Sequence, residues 1–335
     1  MMCLETRYAA RMLEDCDRER VSLGLCPTPL HRLSGLEKEL DYSNIYIKRD
    51  DLTGVGIGGN KIRCMEYLLG HAIACGKDTI LVSGAPQSNL CTLTACCCIK
   101  LNLKCIMILN GEKSGRACGN ELLNEIIGAD SIYIGNVDTE TRAKYVDELC
   151  EKLEKEGKHP FIIKRGASTG YGAMGYVKAV CELYEQKKST APDLYDIFAP
   201  GGNGGVAAGL IFGNYVLGSP FRMNIISIED SKKILSANID QVISELEDIT
   251  KIKFSACPQS SYRIIEGYEG AGWAINTPES EKEVFDFARR DGIFIENIFT
   301  SKVVVGMKDI IKKKDVKDGC CYLHTGGLGA LFGQF

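Results

Sequence analysis

The chain predicts an α/β fold built on open, mostly parallel twisted sheets with helices on both faces. Three observations predict it. Short strand-like runs alternate with helical runs along most of the length, the pattern that right-handed βαβ crossovers leave in a sequence. A glycine-rich turn, Gly-Val-Gly-Ile-Gly-Gly-Asn at 54–60, runs straight into one of those helices. No internal repeat, low-complexity stretch or composition-marked linker breaks the alternation. The 335 residues allow one large or two ordinary domains, and any two should pack closely.

The elements follow in order. Residues 1–26 contain a helix-like charged stretch, and Pro27-Thr28-Pro29-Leu30 marks an extended segment, because the residue before a proline avoids the helical region. A helix at 34–40 leads to a strand at 44–48. After the glycine turn the apolar positions Ile62, Met65, Leu68, Leu69, Ala72 and Ile73 recur at helical spacing. Strands are expected at 79–83, 104–109, 131–134 and 161–163, with helices between them at 88–101, 116–128 and 139–156. A second run gives helix 171–187, strand 194–199, helix 206–217, strand 222–228 and helix 231–249. Helices at 278–291 and 302–314 precede a last strand at 320–324. The charged segment 147–158 reads as a solvated helix face.

Composition narrows the function. The chain is 45% hydrophobic and 25% charged, with a net charge of −4. A mildly acidic chain with no basic run argues against nucleic acid as a partner. Its longest apolar stretches, such as 104–109, are strand-sized, far below a membrane span. Met-Met-Cys-Leu-Glu-Thr-Arg at the start lacks the apolar core of a secretory signal. Sixteen cysteines include no Cys-x-x-Cys pair, and there are four histidines. No metal site is therefore expected. The thiols read as small buried hydrophobes in a reducing cytoplasm.

In open α/β sheets, ligands gather where strands end and helices begin. Lys61 falls in the first turn of the helix that follows the glycine turn. Gly58 and Gly59 let the backbone turn sharply there. The positive end of the helix dipole disfavours a protonated amine, and burial would lower its pKa further, towards a nucleophilic form suited to a Schiff base with an aldehyde cofactor. An arbitrary helix lysine is far more often simply solvated; the company Lys61 keeps argues otherwise. Gly84-Ala85-Pro86-Gln87-Ser88-Asn89 ends one strand, and Ser88 and the free N–H groups behind it could cap the helix or hold a carboxylate. Gly201-Gly202-Asn203-Gly204-Gly205 ends another and opens a helix. So much glycine at a helix start suits a phosphate better than a plain turn. It is neither a dinucleotide fingerprint nor an ATP-binding loop, which favours a compact monophosphate. His324-Thr325-Gly326-Gly327 follows the last strand. An amine for a Schiff base, a phosphate cradle and a carboxylate-binding turn together imply pyridoxal 5′-phosphate acting on an amino acid.

These stretches resemble the family of D-cysteine desulfhydrase and 1-aminocyclopropane-1-carboxylate deaminase, within the tryptophan-synthase β-like fold. The matching pieces are Thr28-Pro29-Leu30, Lys48-Arg49-Asp50-Asp51, Gly58-Gly59-Asn60-Lys61-Ile62-Arg63, Gln87-Ser88-Asn89, Gly172-Ala173-Met174-Gly175-Tyr176-Val177, and His324-Thr325-Gly326-Gly327 with Ala330-Leu331-Phe332. The resemblance implies two packed domains, residues 1–66 plus 163–335 around a smaller insert at 67–162, with the active site in the cleft between them. It implies that Lys61 carries the cofactor, that Asn89 meets its ring oxygen, and that Ser88 sits by the substrate. Residues 201 to 206, Gly201 through Val206, would hold the phosphate. Asn60 and Thr325 would line the cofactor, and Thr300 would face the pyridine nitrogen, where deaminases carry glutamate and desulfhydrases threonine.

Departures at three positions shape the expected pocket of Ser88, Asn89, Leu90, Trp273 and Phe299. Leu90 stands where the family usually has His, Gly272-Trp273-Ala274 replaces Gly-Tyr-Gly, and Phe299 replaces Tyr. Asn203 and Val206 likewise stand where hydroxyl residues are common. Loss of two phenol hydroxyls weighs against opening a cyclopropane ring, which leans on such acid–base groups. The expected activity is therefore α,β-elimination on a small β-substituted amino acid, D-cysteine first. Cysteate, β-replacement or racemisation, the deaminase reaction, and cofactor binding without catalysis are the alternatives. A cytoplasmic enzyme is expected from the thiols and the N-terminus, and the resemblance suggests a homodimer.

Overall fold

The structure is a computed structural model that describes residue 14 and residues 17–254, 260–272 and 275–334. Most of the helical stretch expected in 1–26 falls outside these residues, and so does Trp273 of the expected pocket.

Two sheets organise the chain. The first described strand, β1 (Leu30–Arg32), runs antiparallel to β2 (Ile45–Arg49), with α1 (Ser34–Leu40) between them. The chain then makes the glycine turn, enters α2 (Lys61–Ala74) and builds a smaller sheet. Its strands are β3 (Thr79–Gly84), β4 (Lys104–Leu109), β5 (Asp130–Tyr133) and β6 (Pro160–Ile163). They lie in the order β5-β4-β3-β6 and are parallel throughout. Helices α3 (Asn89–Lys100), α4 (Gly119–Ile126) and α5 (Thr139–Lys155) make its crossovers.

After α6 (Gly170–Ser189) the chain returns to the larger sheet with β7 (Leu194–Gly201), α7 (Gly205–Val216), β8 (Arg222–Ser227), α8 (Lys232–Thr250) and β9 (Tyr262–Ile265). Then follow α9 (Pro278–Asp291), α10 (Thr300–Lys312), β10 (Gly319–His324) and the short α11 (Leu328–Leu331). The order is β1-β2-β10-β7-β8-β9, parallel but for β1.

The expected α/β fold is what forms, with two additions. β1 and β9 are the edge strands, and both escaped the sequence reading: β1 is three residues long, and the four residues of β9 are only half-buried. The 302–314 helix begins two residues earlier, at Thr300.

Three apolar clusters cover the sheets. The largest takes residues from both, Ile80, Val82 and Met107 from the small one and Ile197, Met223 and Leu323 from the large one. The sheets therefore share a core, with α2 and α6 packed into it. A second cluster (Leu36, Ile47, Phe198, Val303, Met307) covers the other face of the large sheet. A third (Leu81, Ile106, Ile108, Val146, Leu153) covers that of the small one. Both faces of each sheet are thus dry, which accounts for strands that read as continuous apolar runs.

Candidate active site

Lys61 is the first residue of α2, and three backbone contacts hold the turn before it. Gly58 N–H donates to Val55 O at 2.9 Å, Gly59 N–H to the Thr53 hydroxyl at 2.9 Å, and Asn60 N–H to Thr325 O at 2.9 Å. Gly58 has φ +76°, and a side chain there would collide with the Asp51 carbonyl. Glycine is the residue that turn requires. The last of the three contacts joins the Lys61 turn to His324-Thr325-Gly326-Gly327, so two junctions far apart in sequence meet. Thr325 is buried, and Gly326 crosses directly over Gly59.

The base of α2 is fixed from beneath by a buried ionic cluster. The Arg63 guanidinium donates to both oxygens of Asp50 at 2.8 Å and to both oxygens of Glu182 at 2.8 Å. Lys48, with no exposed surface, donates to Thr28 O at 2.8 Å, Glu182 at 3.0 Å and Gln186 at 2.7 Å. Tyr176 OH reaches Asp50 at 2.9 Å. Burial works to raise the Glu182 carboxyl; Arg63 and Lys48 outweigh it and bring it down to about 2. Every charge in the cluster has an opposite partner, which is how buried charge is tolerated. The family-like residues Thr28, Lys48, Asp50 and Arg63 thus brace Lys61 rather than reach into the site.

The Lys61 Nζ points away from α2 and donates to Gly166 O at 2.9 Å. Gly166 is the middle of three consecutive left-handed residues, Arg165 (φ +47°), Gly166 (φ +63°) and Ala167 (φ +69°). Two of the three carry a Cβ, so this turn is strained. It abuts the 201–206 junction: a Cβ on Gly166 would lie 3.1 Å from Asn203 Nδ2, and one on Gly205 would lie 2.8 Å from the Ser168 Cα. Across the junction, a Cβ on Gly202 would come within 3.0 Å of Glu229 Oε1. Gly204 (φ +85°) caps α7 without a side-chain bond. The first N–H groups of that helix have no intrahelical partner. Gly201, Gly204 and Gly205 are buried, Gly202 and Val206 half-buried, and Asn203 exposed. A floor stripped of Cβ atoms, at a helix start, suits a small anion.

Glu229, just past β8, borders this floor. Burial chiefly, and Asp230 next, push its carboxyl up to about 7, while Lys61 and Lys302 pull the other way. It carries a proton for much of the time near neutrality and can then donate to an anion instead of repelling it.

Ser88 caps α3 as expected, its Oγ accepting from Cys91 N–H at 3.3 Å. Asn89 begins the helix. Leu93, one turn on, packs against Gly56 and Gly59 of the glycine turn. Leu90 turns inward and is buried in the main core. Phe299 is half-buried against the second core.

Thr300 is the first residue of α10, and the cap position is Phe299. Its hydroxyl accepts from Glu296 N–H at 2.8 Å and donates to Glu296 Oε1 at 2.9 Å. The Glu296 carboxylate also takes N–H bonds from Ile298, Phe299 and Thr300, so it is the group that caps α10. It packs against Gly327, behind the turn that meets Asn60. His324, buried beside it, donates from Nε2 to Phe294 O at 2.9 Å and accepts at Nδ1 from Gly326 N–H at 3.2 Å. Burial lowers its pKa, and these two bonds fix the neutral tautomer.

Gly166, Ser168, Glu229 and Glu296 were not picked out in the sequence. The first three follow strands 161–163 and 222–228, so the strand-end rule that found the other junctions would have found them too.

No group of described residues could hold a metal ion. No helix of the described residues is long and apolar enough to cross a membrane.

A lysine at one helix start and a glycine-rich second helix start, at the strand ends of a two-sheet α/β fold, are what an enzyme that holds a phosphorylated aldehyde needs. The chain belongs to the family of pyridoxal-phosphate-dependent enzymes, whose pattern matches residues 21–326. It is 32% identical over 313 residues to a Pyrococcus horikoshii protein that bears the provisional name 1-aminocyclopropane-1-carboxylate deaminase, with 93% of both chains covered. It is 30% identical to the D-cysteine desulfhydrase of Klebsiella pneumoniae, covering 93% of this chain and 95% of that one. The solved structure of an ACC deaminase homologue superposes with a TM-score of 0.87 at 31% identity, 96% of each chain being covered. The chain is a pyridoxal-phosphate-dependent lyase of the group that contains these deaminases and desulfhydrases.

Proposed function

We propose that the chain carries out α,β-elimination on a small amino acid with a β leaving group, D-cysteine being the first choice. The observation that carries this reading is the Lys61 side chain, held at 2.9 Å from Gly166 O in the turn that abuts the 201–206 junction. Elimination needs one base at the α-carbon, and a freed lysine amine suffices. Opening a cyclopropane ring needs further proton carriers, and positions 90 and 299 hold leucine and phenylalanine.

In this reading Lys61 holds the cofactor aldehyde, Gly201 to Val206 its phosphate, and Asn89 its ring oxygen, while Asn60, Thr300 and Thr325 line its edge. When bound, pyridoxal phosphate supplies an electron-accepting ring that makes the α-proton of an attached amino acid acidic. The rest falls to the chain. Ser88 and the N–H groups opening α3 bind the substrate carboxylate. The Lys61 amine, displaced by the substrate amine, takes the α-proton and can return it to the departing thiol. Phe299, half-buried, adds an apolar surface without a hydroxyl. With one water consumed overall, D-cysteine gives pyruvate, ammonia and hydrogen sulfide.

The cleft between the 67–162 unit and the rest of the chain is where this reading puts the reaction. A homodimer in the cytoplasm completes it; sedimentation of the purified protein tests the dimer.

The experiment is a pyruvate and sulfide assay against D- and L-cysteine, cysteate, serine and 1-aminocyclopropane-1-carboxylate, with Lys61→Ala beside it. Pyruvate from a β-substituted amino acid, abolished by Lys61→Ala, is expected. No pyruvate from any of them overturns the reading. The name borne by the Pyrococcus relative favours a second reading, ring opening of the cyclopropane substrate; 2-oxobutyrate from that substrate alone would establish it.

A further inference from the structure

We infer that Asn120, at the start of α4, is a positioning residue that turns the Asn89 amide so that it offers the cofactor an N–H and never its carbonyl oxygen. The inference rests on the reading that Asn89 meets the cofactor's ring oxygen.

A chain of hydrogen bonds carries it. Asn120 is completely buried. Its Nδ2 donates to the backbone carbonyl of Gln87 at 2.9 Å and to Asn89 Oδ1 at 2.8 Å. A backbone carbonyl can only accept, so the Asn120 atom facing it must be the amide nitrogen. That same nitrogen faces Asn89, so the Asn89 atom it meets must be the oxygen. The Asn89 nitrogen is left pointing the other way, with no hydrogen-bond partner among the described residues. The orientation of both amides is thereby set by one main-chain group, where otherwise either flip would fit.

A second clamp prevents Asn120 from turning. Its own N–H donates to Gln87 Oε1 at 2.9 Å, and Gln87 Nε2 donates to Cys118 O at 3.0 Å. Gln87 and Asn120 therefore hold each other at both main chain and side chain. The far side of Asn120 is closed by Gly329, where any side chain would overlap Asn120 Oδ1. That oxygen is buried and has no partner among the described residues. A rotation of the Asn120 amide would set an oxygen against the Gln87 carbonyl.

The consequence is chemical. The ring oxygen beside the cofactor's aldehyde is most useful as an anion, and an N–H facing it stabilises that anion. An amide oxygen in the same place would repel it. Asn120 would thus tune a charge it does not touch.

The test is Asn120→Asp, whose carboxylate can only accept. Asn89 must then turn its nitrogen towards position 120 and its oxygen towards the cofactor. Titration of cofactor-free protein with pyridoxal phosphate, followed by intrinsic fluorescence, is expected to show a roughly tenfold weaker dissociation constant. The visible band of the loaded protein should shift its pH midpoint upward. Asn89→Ala should weaken binding similarly, and the double variant should be no worse than Asn89→Ala alone, because the second change acts only through the first. Should Asn120→Asp not fold, Asn120→Ser replaces it: a serine hydroxyl can bond Gln87 O but is too short to hold Asn89 as well. An unchanged dissociation constant and pH midpoint in a folded variant, or additive losses in the double variant, overturn the inference. Parent protein that never takes up the cofactor overturns the underlying reading instead.

Discussion

Glu229 is the residue at which the electrostatics of the site are most exposed to measurement. Its carboxyl is raised to about 7 from an ordinary value of 4.5. Between those values the folded chain holds a proton that the unfolded chain has released, so this group makes stability fall as pH rises through the window. Below 4.5 both states are protonated and the penalty vanishes. Thermal unfolding of the cofactor-free protein should therefore show Glu229→Gln to be more stable than the parent at pH 8, with the gap closing by about pH 5. On the proposed reading, phosphate bound at 201–206 should push the carboxyl higher still, so cofactor binding near pH 7.5 should take up a proton, which paired calorimetric titrations in buffers of different ionisation heat would detect. Lys61 gives the simplest expectation: Lys61→Ala should remove both the colour of the bound cofactor and turnover, while leaving the fold intact, since among the described residues its side chain bonds the Gly166 carbonyl alone.

At the scale of the element, α2 is positioned by close backbone approach as much as by charge. Gly175 of α6 faces Arg63 so tightly that a Cβ there would overlap the Arg63 carbonyl. Gly175→Ala must push α6 away from the first turn of α2, and overpacking of this kind costs about 1–3 kcal/mol. Chemical denaturation should register that loss, and because the displaced turn carries Lys61, cofactor affinity should fall with it. A variant that loses stability but binds the cofactor as tightly as the parent would show that α2 is held from elsewhere. Here the sequence was only half legible. The Gly-Ala-Met-Gly-Tyr-Val stretch could be singled out, but not the helix its glycines face, because close approach between elements more than a hundred residues apart leaves no local periodicity. Thr300 illustrates the same limit: its position near a helix start was readable, while the commitment of its hydroxyl to Glu296 was not.

For the whole molecule, the ionic cluster of Asp50, Arg63, Glu182 and Lys48 ties the start of α2 to β2 and α6 within the shared core. The Glu182 carboxyl is lowered to about 2, so its contribution to stability is complete above the ordinary 4.5 and is lost as pH falls from there towards 2. Acid unfolding should begin in that window. Glu182→Ala leaves Lys48 and part of Arg63 unpaired in the core and should cost about 3–5 kcal/mol, read as a drop in the denaturation midpoint at pH 7. Loss below 1 kcal/mol would mean that water reaches the cluster.

From the sequence alone followed the eight described strands other than β1 and β9, the helices between them, the lysine at a helix start, and the glycine-rich start of α7. These depend on neighbours in the chain: side-chain periodicity, the turns only glycine makes, and the free N–H groups of a helix start. The fold then decided what those groups face. It set Gly166 against Lys61, brought Glu229 to the edge of the cradle, and turned Asn120 upon Asn89. It also paired β1 and β9 onto the edges of the large sheet. Each depends on which strand ends lie side by side, and that is fixed by burial of the shared core, a property of the whole chain that no window of residues carries.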